Sequence, residues 1–341
     1  MNNRSGGPRS FNTVKRSNRE ERLKRRRQCG KTLLAIFIVS LLLILSAFIL
    51  LVCNVAVDIH NRNAASQGGT NDPVTPNNPG ITYQVSTQRT AAYQTGDLIV
   101  VNSAHKYLFP QEANSPNSSP AAYRQLVDGK EPYQIRTGTQ AKLQTVAAER
   151  LNALLTEYYK RTGTALVVYD TYRTEQQQAE GGYSVNAGYS EHHTGLLVSL
   201  SESHSSYNLR LEDHSLLFEM CHEYGFIQRY PAGKSTLTGV SNYGECLRYV
   251  GVAHATYIYQ NGLCLEEYVE LIRKNHVSAT GTDGKHLLID TDQDGTANYA
   301  VYYVPKNDSS DLTSIPVPNG IESTVSGDNI GGFIVTVTLN P

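Results

Sequence analysis

The sequence predicts an α+β fold, in which a globular domain over residues 97–275 is followed by a small β-rich appendage over residues 276–341. Two observations carry this prediction. Apolar residues between Leu143 and Tyr158 recur at steps of three and four, which is typical of an amphipathic helix, and short apolar runs of strand length lie on both sides of it. With 341 residues, of which 40% are hydrophobic and 18% charged, the chain can bury a sizeable core, which excludes a disordered or collagen-like protein.

The first 31 residues form a basic tail. They contain eleven Lys and Arg residues against Glu20 and Glu21, a net charge of about +9, although the whole chain carries a formal net charge of −1. Such an asymmetry indicates that the tail serves a separate purpose. Because the tail runs directly into an apolar segment, the pattern favours a membrane-flanking role, and no nucleic-acid partner is predicted.

Residues 32–57 predict a transmembrane helix. The segment has no charged residue and is longer than the ~20 apolar residues needed to cross the hydrocarbon of a bilayer. Lys and Arg cluster just before it and are nearly absent just after it, which predicts a cytoplasmic tail at 1–31 and an extracellular main domain. A cleaved signal peptide is the alternative, although no small-residue cleavage pattern follows cleanly. We therefore expect a single-pass protein of the cell membrane.

Residues 58–96 predict a flexible linker. The segment is polar, it is interrupted by glycine and proline at Gly68, Gly69, Pro73 and Pro76, and it has no sustained apolar period. A linker of this kind would hold the following domain away from the membrane surface. The short apolar run Leu98–Asn102 then predicts the first strand of the domain.

A basic residue follows the next predicted strand. The amphipathic helix is expected to end near Gly163, and Ala165–Tyr169 reads as a buried strand that delivers Arg173 at its end. A guanidinium in that position suits a carboxylate or a developing oxyanion, because its fixed fork of donors can bind both oxygens. The alternative is that Arg173 pairs with a structural Asp or Glu.

The C-terminal part of the sequence is rich in strand-like runs. Strand-like runs at 286–289, 299–304 and 332–337 predict the β appendage, and Asp290, Asp292 and Asp294 lie between the first two of them. This acidic run copies the first half of a calcium loop, but position twelve is valine where a bidentate Glu is needed. The pattern favours an acidic hairpin turn, with calcium bound to the three aspartates as the alternative.

Two segments, Gly188–Leu200 and Asn242–Gly251, carry a recognisable arrangement of residues. Ser190 and His192 form a Ser-x-His pair, and Leu247–Gly251 reads Leu-Arg-Tyr-Val-Gly. The chain resembles the VanY-type zinc D-alanyl-D-alanine carboxypeptidases, whose pattern is Ser-x-His, six residues, Asp, and later Glu-x-x-His. The resemblance covers about residues 97–275. It implies a VanY-like domain of the hedgehog/D,D-peptidase type, with a central antiparallel sheet and flanking helices.

The resemblance also implies a set of site residues, and several are replaced. His192 matches a zinc ligand, whereas the aspartate ligand falls on Ser199 and the second histidine ligand on Cys246. The general-base glutamate falls on Tyr243, whose phenol, with an unperturbed pKa near ~10, is a poor proton acceptor. Glu245, two residues further along the chain, is the alternative proton acceptor. We expect a degenerate metal site, with zinc bound only if His192 and Cys246 still hold it.

The resemblance further implies Arg173, Gln178 and Ser190 as contacts for the substrate. The ligand class it implies is the D-Ala-D-Ala end of a peptidoglycan stem peptide. We expect a catalytically inactive relative that binds this peptide or a cell-wall protein. Two alternatives remain: an active zinc D,D-carboxypeptidase with a non-standard metal site, and a structural scaffold module.

Overall fold

The computed structural model describes residues 82–109, 123–126, 132–137, 141–204, 209, 211–241, 243–274 and 286–339. The predicted tail at 1–31, the predicted span at 32–57 and the linker up to residue 81 therefore lie outside the described residues. Within the described ranges, no helix combines the length and the apolar character needed to cross a membrane.

The described elements mix helices and strands along the chain, as an α+β fold requires. The strands are β1 (Tyr83–Arg89), β2 (Tyr123–Gln125), β3 (Gln134–Ile135), β4 (Lys142–Gln144), β5 (Val167–Asp170), β6 (Leu197–Ser201), β7 (Phe226–Gln228), β8 (Cys246–Tyr249), β9 (Leu287–Ile289), β10 (Tyr299–Pro305), β11 (Leu312–Pro318), β12 (Ser323–Gly327) and β13 (Gly332–Thr338). The helices are α1 (Thr145–Thr162), α2 (Glu175–Glu180), α3 (Ser215–Met220), α4 (Ser235–Thr238), α5 (Val252–Asn261) and α6 (Leu265–Arg273).

A central sheet of five strands, in the order β3-β5-β6-β8-β7, forms the platform of the domain. All its pairings are antiparallel except that of β3 with β5. Helix α1 covers one side of the sheet, because its buried face, which includes Leu151 and Leu154, shares a core with Val168 of β5 and Val198 and Leu200 of β6. The helix ends where the sequence predicts, since Gly163 adopts a left-handed conformation with φ of 72° that favours glycine.

A second, wholly antiparallel sheet, in the order β12-β13-β10-β9, accounts for most of the C-terminal part. Its predicted strands at 286–289, 299–304 and 332–337 are present as β9, β10 and β13. One apolar cluster joins Ile258 of α5 and Tyr268 of α6 to Val301 of β10 and Ile334 of β13. The C-terminal sheet therefore packs against the helices of the preceding domain through a shared core.

The predicted linker is wrong over its last part. Residues 83–89 form β1, which pairs along its whole length with β11, and a 3-10 helix follows at Thr90–Gln94. Val85 of β1 is 59% exposed, so ladder hydrogen bonds to a distant strand hold this segment more than burial does. A polar segment of this kind gives no local apolar period from which the pairing could be read.

The predicted strand at Leu98–Asn102 is buried but joins no named strand ladder among the described residues. Its polar backbone groups are satisfied by other partners. The Val100 N–H donates to the Asp328 carbonyl at 3.0 Å, and the Val100 carbonyl accepts from Asn329 Nδ2 at 2.9 Å. Because these partners replace a neighbouring strand, the apolar run is extended without belonging to a sheet.

His254 of α5 is hydrogen-bonded both to α6 and to the second sheet. Its Nδ1 is hydrogen-bonded to the Tyr268 hydroxyl at 2.6 Å, and its Nε2 to the Thr336 hydroxyl of β13 at 2.9 Å. Burial lowers the pKa of His254 from 6.5 to about 3. The folded protein therefore keeps this ring neutral.

A neutral buried ring makes stability depend on pH. The contribution of His254 is fully present above pH 6.5 and is lost as the pH falls toward 3, because the unfolded chain takes up the proton first. We expect His254→Asn to destabilise the protein at pH 7 and to differ less from the unaltered protein at pH 4.5, measured as free energy of unfolding in urea. A difference that is the same at both pH values would contradict this prediction.

Candidate functional site

Three side chains form a row across the central sheet. In register, Asp170 of β5 faces Ser199 of β6, and Ser199 faces Cys246 of β8. Side chains of directly paired residues lie on the same face of a sheet. Accordingly, Ser199 Oγ lies 3.2 Å from Cys246 Sγ, and both residues are buried.

His192 lies beside this row, on the short 3-10 helix Glu191–Thr194. Its Nδ1 donates a hydrogen bond to the Thr171 carbonyl at 2.5 Å, which leaves Nε2 as the nitrogen without a proton in the neutral ring. Burial lowers the pKa of His192 to about 4, so the ring is neutral near pH 7. This tautomer is the one in which Nε2 can accept a proton or bind a metal.

Arg173 is held on several sides. Its Nη1 is paired with the Asp170 carboxylate, its Nε donates to Gln178 Oε1 at 2.8 Å, and its Nη2 donates to Ser190 Oγ at 3.3 Å. The ring of Tyr183 lies over the guanidinium, with 3.8 Å between the ring centroid and Cζ. The alternative that Arg173 pairs with a structural carboxylate is thus realised, with Asp170 as the partner.

The side-chain amide of Gln178 helps to hold Arg173 in place. Its Oε1 accepts from Arg173 and its Nε2 donates to the Val185 carbonyl at 2.6 Å. Helix α2, which carries Gln178, begins with a capping box in which the Thr174 hydroxyl and the Gln177 side chain each bond to the other's backbone N–H. The cap fixes the helix that places Gln178 beside Arg173.

A cavity of about 940 Å³ brings these residues together. Among its lining residues are Arg173, Ser190, His192, Tyr243 and Cys246. The sequence-based set therefore converges on one cavity, with Gln178 also lining it and Ser199 directly behind Cys246. Tyr243 is 37% exposed, whereas Glu245 is buried and is not among the described residues that line the cavity.

Three other histidines have hydrogen-bond partners of their own. His193 donates from Nδ1 to the Arg173 carbonyl at 2.8 Å and accepts at Nε2 from the Gly188 N–H at 3.0 Å. His214 is bonded to Tyr158 and Glu202, and His222 lies 3.2 Å from the Thr256 hydroxyl. Both ring nitrogens of His193 and of His214 therefore already have partners.

A buried ion network holds the Ser-x-His segment in place. Glu191 lies between Ser190 and His192 in the chain, and its side chain is fully buried with those of Arg229 and Arg248. Arg248 Nε donates to Glu191 Oε1 at 2.8 Å, and Arg229 Nε lies 3.1 Å from Oε2 in an ion pair without hydrogen-bond geometry. Arg229 also makes a bidentate pair with Glu266, at 2.7 and 3.0 Å.

Comparison with known proteins identifies the same family as the resemblance read from the sequence. Residues 143–252 match the VanY family of D-alanyl-D-alanine carboxypeptidases. A D-alanyl-D-alanine carboxypeptidase of Enterococcus faecium is 27% identical over 249 residues, which cover 71% of this chain and 75% of that protein. Another D-alanyl-D-alanine carboxypeptidase, from Enterococcus faecalis, is 45% identical over 101 residues, which cover 29% of this chain and 37% of that protein. Residues 143–252 therefore form a VanY-type D,D-peptidase domain.

A solved structure supports the VanY-like fold independently. The vancomycin-resistance D,D-dipeptidase VanXYg, in complex with a D-Ala-D-Ala phosphinate analogue, superposes with a TM-score of 0.57 at 23% identity. The match covers 75% of this chain and 99% of that one. At this identity the likeness shows the fold alone. The resemblance stated from the sequence and the mixed helix-and-sheet VanY-like fold are both confirmed.

The donor set of this VanY-type chain does not fit a catalytic zinc ion. Such a site takes about three protein ligands and one open position. His192 and Cys246 can each supply one ligand atom, but Ser199 offers a neutral hydroxyl, which brings no charge to offset the ion. Among the described residues, the only three His, Cys, Asp or Glu side chains with ligand atoms within 4.8 Å of one another are Asp290, Asp292 and Asp294.

Those three aspartates belong to a turn. Asp290 accepts hydrogen bonds from the backbone N–H groups of Gln293 and Gly295 at 2.7 and 2.8 Å, and Asp294 accepts from that of Thr296 at 2.7 Å. The turn joins β9 to β10, where Ile289 faces Tyr299. The calcium alternative gains no support, because the carboxylates already bind the amides of their own hairpin.

Sequence reasoning missed Arg136, Tyr169, Asp170 and Tyr183, which also line the cavity. Adjacent residues of a strand normally face opposite sides, yet Tyr169 and Asp170 both line the cavity. The pairing of β5 with β6 shifts register between Val168 and Asp170, and a bulge of this kind re-aims side chains. The local sequence gives no signal for such a shift.

Proposed function

We propose that this chain is a membrane-anchored, extracellular protein of the cell wall that binds the D-Ala-D-Ala end of a peptidoglycan stem peptide without hydrolysing it by a zinc mechanism. The chain is a D-Ala-D-Ala carboxypeptidase-family member, which supports the ligand class. The basic tail followed by an apolar run at 32–57 supports the anchoring and the orientation.

The contact between Ser199 and Cys246 carries the proposal. In the family pattern these positions hold an aspartate and a histidine that ligate zinc. Here a hydroxyl and a thiol lie 3.2 Å apart in a buried position, so two of the three expected ligands interact with each other. The third change, Tyr243, places a phenol where a general-base carboxylate is expected, and general-base assistance is typically worth about 10²–10⁴-fold in rate.

The polar wall of the cavity, in contrast, is intact. Arg173 donates hydrogen bonds to both Gln178 and Ser190, and all three residues are buried, so their positions are fixed before a ligand arrives. Side chains that are already ordered lose less conformational entropy on binding. A cavity of about 940 Å³ lies within the usual range of roughly 300–1,000 Å³ for small-ligand sites.

A pentapeptide ending in D-Ala-D-Ala is expected to bind the purified full-length chain and to remain uncleaved. Zinc content by elemental analysis, D-Ala release and calorimetric binding together test this expectation. We expect zinc well below one ion per chain and no chelator-sensitive release of D-Ala. Stoichiometric zinc with chelator-sensitive release would contradict the proposal, and absence of both zinc and peptide binding would favour the scaffold alternative.

A paired substitution provides the binding control. Replacing Arg173 by Gln alone leaves the Asp170 carboxylate without its partner, so Asp170→Asn is combined with it. We expect the double variant to weaken binding of the pentapeptide while the protein stays folded. Unchanged affinity would show that the Arg173 wall does not contact the peptide.

A further inference from the structure

We infer that Arg136 is the residue that binds the terminal carboxylate of the peptide. The inference rests on the proposed function, because it concerns how the same cavity recognises its ligand. Arg136 follows β3, and its side chain lines the cavity that also contains Arg173 and His192. The resemblance to the family points to Arg173 as the basic contact, whereas the geometry points to Arg136.

The charge of Arg173 is already balanced. Asp170 pairs with it inside the cavity wall, and the side chains of both residues are at most 14% exposed. An incoming carboxylate that approached Arg173 would meet Asp170 as well, and two carboxylates in one site repel each other. The remaining donors of Arg173 are better suited to neutral carbonyl groups of a peptide than to a negatively charged end.

The charge of Arg136 is not balanced by an acid among the described residues. Its backbone N–H donates to the Val168 carbonyl at 3.0 Å, which fixes the main chain at the edge of the central sheet. Its guanidinium lies over the ring of Tyr169, with 4.3 Å between Cζ and the ring centroid. Stacking on an aromatic face orients the fork of N–H donors and leaves its edge free to bind both oxygens of a carboxylate.

The bulge in β5 explains why Arg136 and Asp170 serve one cavity. Tyr169 and Asp170 both line it, so the strand supplies the platform for one guanidinium and the counter-ion for the other. Within the part of the chain that the structure describes, the cavity thus contains Arg173 paired with an acid and Arg136 without one. A ligand that brings one negative charge at its end matches this distribution.

Comparison of a free acid with its amide tests the inference. The probes are a pentapeptide ending in D-Ala-D-Ala and the same peptide with a C-terminal amide, measured by calorimetry on the full-length chain. A charge-assisted, bidentate hydrogen bond corresponds to about a ten- to hundredfold preference for the acid. We expect Arg136→Gln to abolish this preference by weakening only the acid, with amide binding as the internal check of folding.

The double variant Asp170→Asn with Arg173→Gln is the matched control. We expect it to bind both peptides more weakly while it keeps the preference for the acid. Persistence of the preference in Arg136→Gln, or its loss in the double variant alone, would overturn the role of Arg136 and leave the proposed function standing. If neither peptide binds the unaltered protein, the proposed function fails and the inference fails with it.

Discussion

The triple variant Ser199→Asp, Tyr243→Glu, Cys246→His is expected to bind one zinc ion per chain. The substitutions return a carboxylate and an imidazole to adjacent positions on β6 and β8, where Ser199 and Cys246 face each other in register. His192 already presents a neutral ring whose Nδ1 is held by the Thr171 carbonyl, so its Nε2 supplies the third ligand.

Zinc should stabilise the triple variant strongly. Without metal, the introduced aspartate is buried beside a histidine and no cation, which costs stability. Binding at a hundred- to a thousandfold excess over the dissociation constant contributes about 2.7–4.1 kcal/mol to the free energy of unfolding. The measurement is the rise in melting temperature on adding zinc, together with metal content after dialysis.

Two comparisons make this result interpretable. Adding His192→Ala to the triple variant should remove the zinc-dependent rise, because one of three ligands is lost. The unaltered protein should show little rise under the same conditions. A triple variant that fails to bind zinc would show that features other than these three positions prevent a metal site, and an unaltered protein that binds zinc as tightly would refute the proposed loss.

Replacing Glu191 by glutamine should be among the most destabilising single changes in the domain. Glu191 lies between Arg229 and Arg248, and all three side chains are fully buried. Although burial alone lowers the pKa of Arg229, the carboxylates of Glu191 and Glu266 raise it well above its ordinary value, so this guanidinium stays charged. Removing the Glu191 carboxylate leaves Arg229 paired with Glu266 and takes from Arg248 the carboxylate that its Nε binds.

Breaking a buried ion pair by removing one partner typically costs about 3–5 kcal/mol. We expect a loss of that size in the free energy of unfolding of Glu191→Gln, measured by urea denaturation. Peptide binding should also fall, because Glu191 lies between Ser190, which precedes the short 3-10 helix, and His192, which lies on it. Glu157→Gln, which alters the surface pair with Arg161 on α1, is the matched control and should change unfolding little.

If Glu191→Gln lowered the free energy of unfolding by less than about 1 kcal/mol, the network would contribute no more than an exposed ion pair. In that case the other contacts of the Ser-x-His segment would hold it in place. These include the bond of His192 Nδ1 to the Thr171 carbonyl at 2.5 Å and the bond of the His193 N–H to the Ser190 carbonyl at 3.1 Å.

Much of the fold follows from local pattern. The extent of α1 and its end at Gly163 are predictable, because an apolar stripe and a glycine in a left-handed conformation are both local features. The strands β9, β10 and β13 are also predicted from runs of apolar residues. In contrast, β1 and β11 are far apart in the sequence, and β11 contains Pro316 and Pro318. Neither strand therefore has a local pattern that predicts their pairing.

The candidate site divides in the same way. The spacing of the family pattern predicts four site positions, His192, Ser199, Tyr243 and Cys246. In the structure three of them line one cavity, and Ser199 contacts Cys246. The pairing of Arg173 with Asp170 comes from the tertiary structure, because a sequence does not state which of several nearby acids an arginine will meet.

By itself the sequence determined which chemical groups stand at the family's metal and base positions, because a motif is a matter of residue type and spacing. Only the tertiary structure decided how charge is distributed within the cavity. A shift of one residue in strand register moves a side chain to the other face of a sheet. The bulge before Asp170 is such a shift, and through it Arg173 gains a counter-ion while Arg136, stacked on Tyr169, faces the cavity with no acid partner among the described residues.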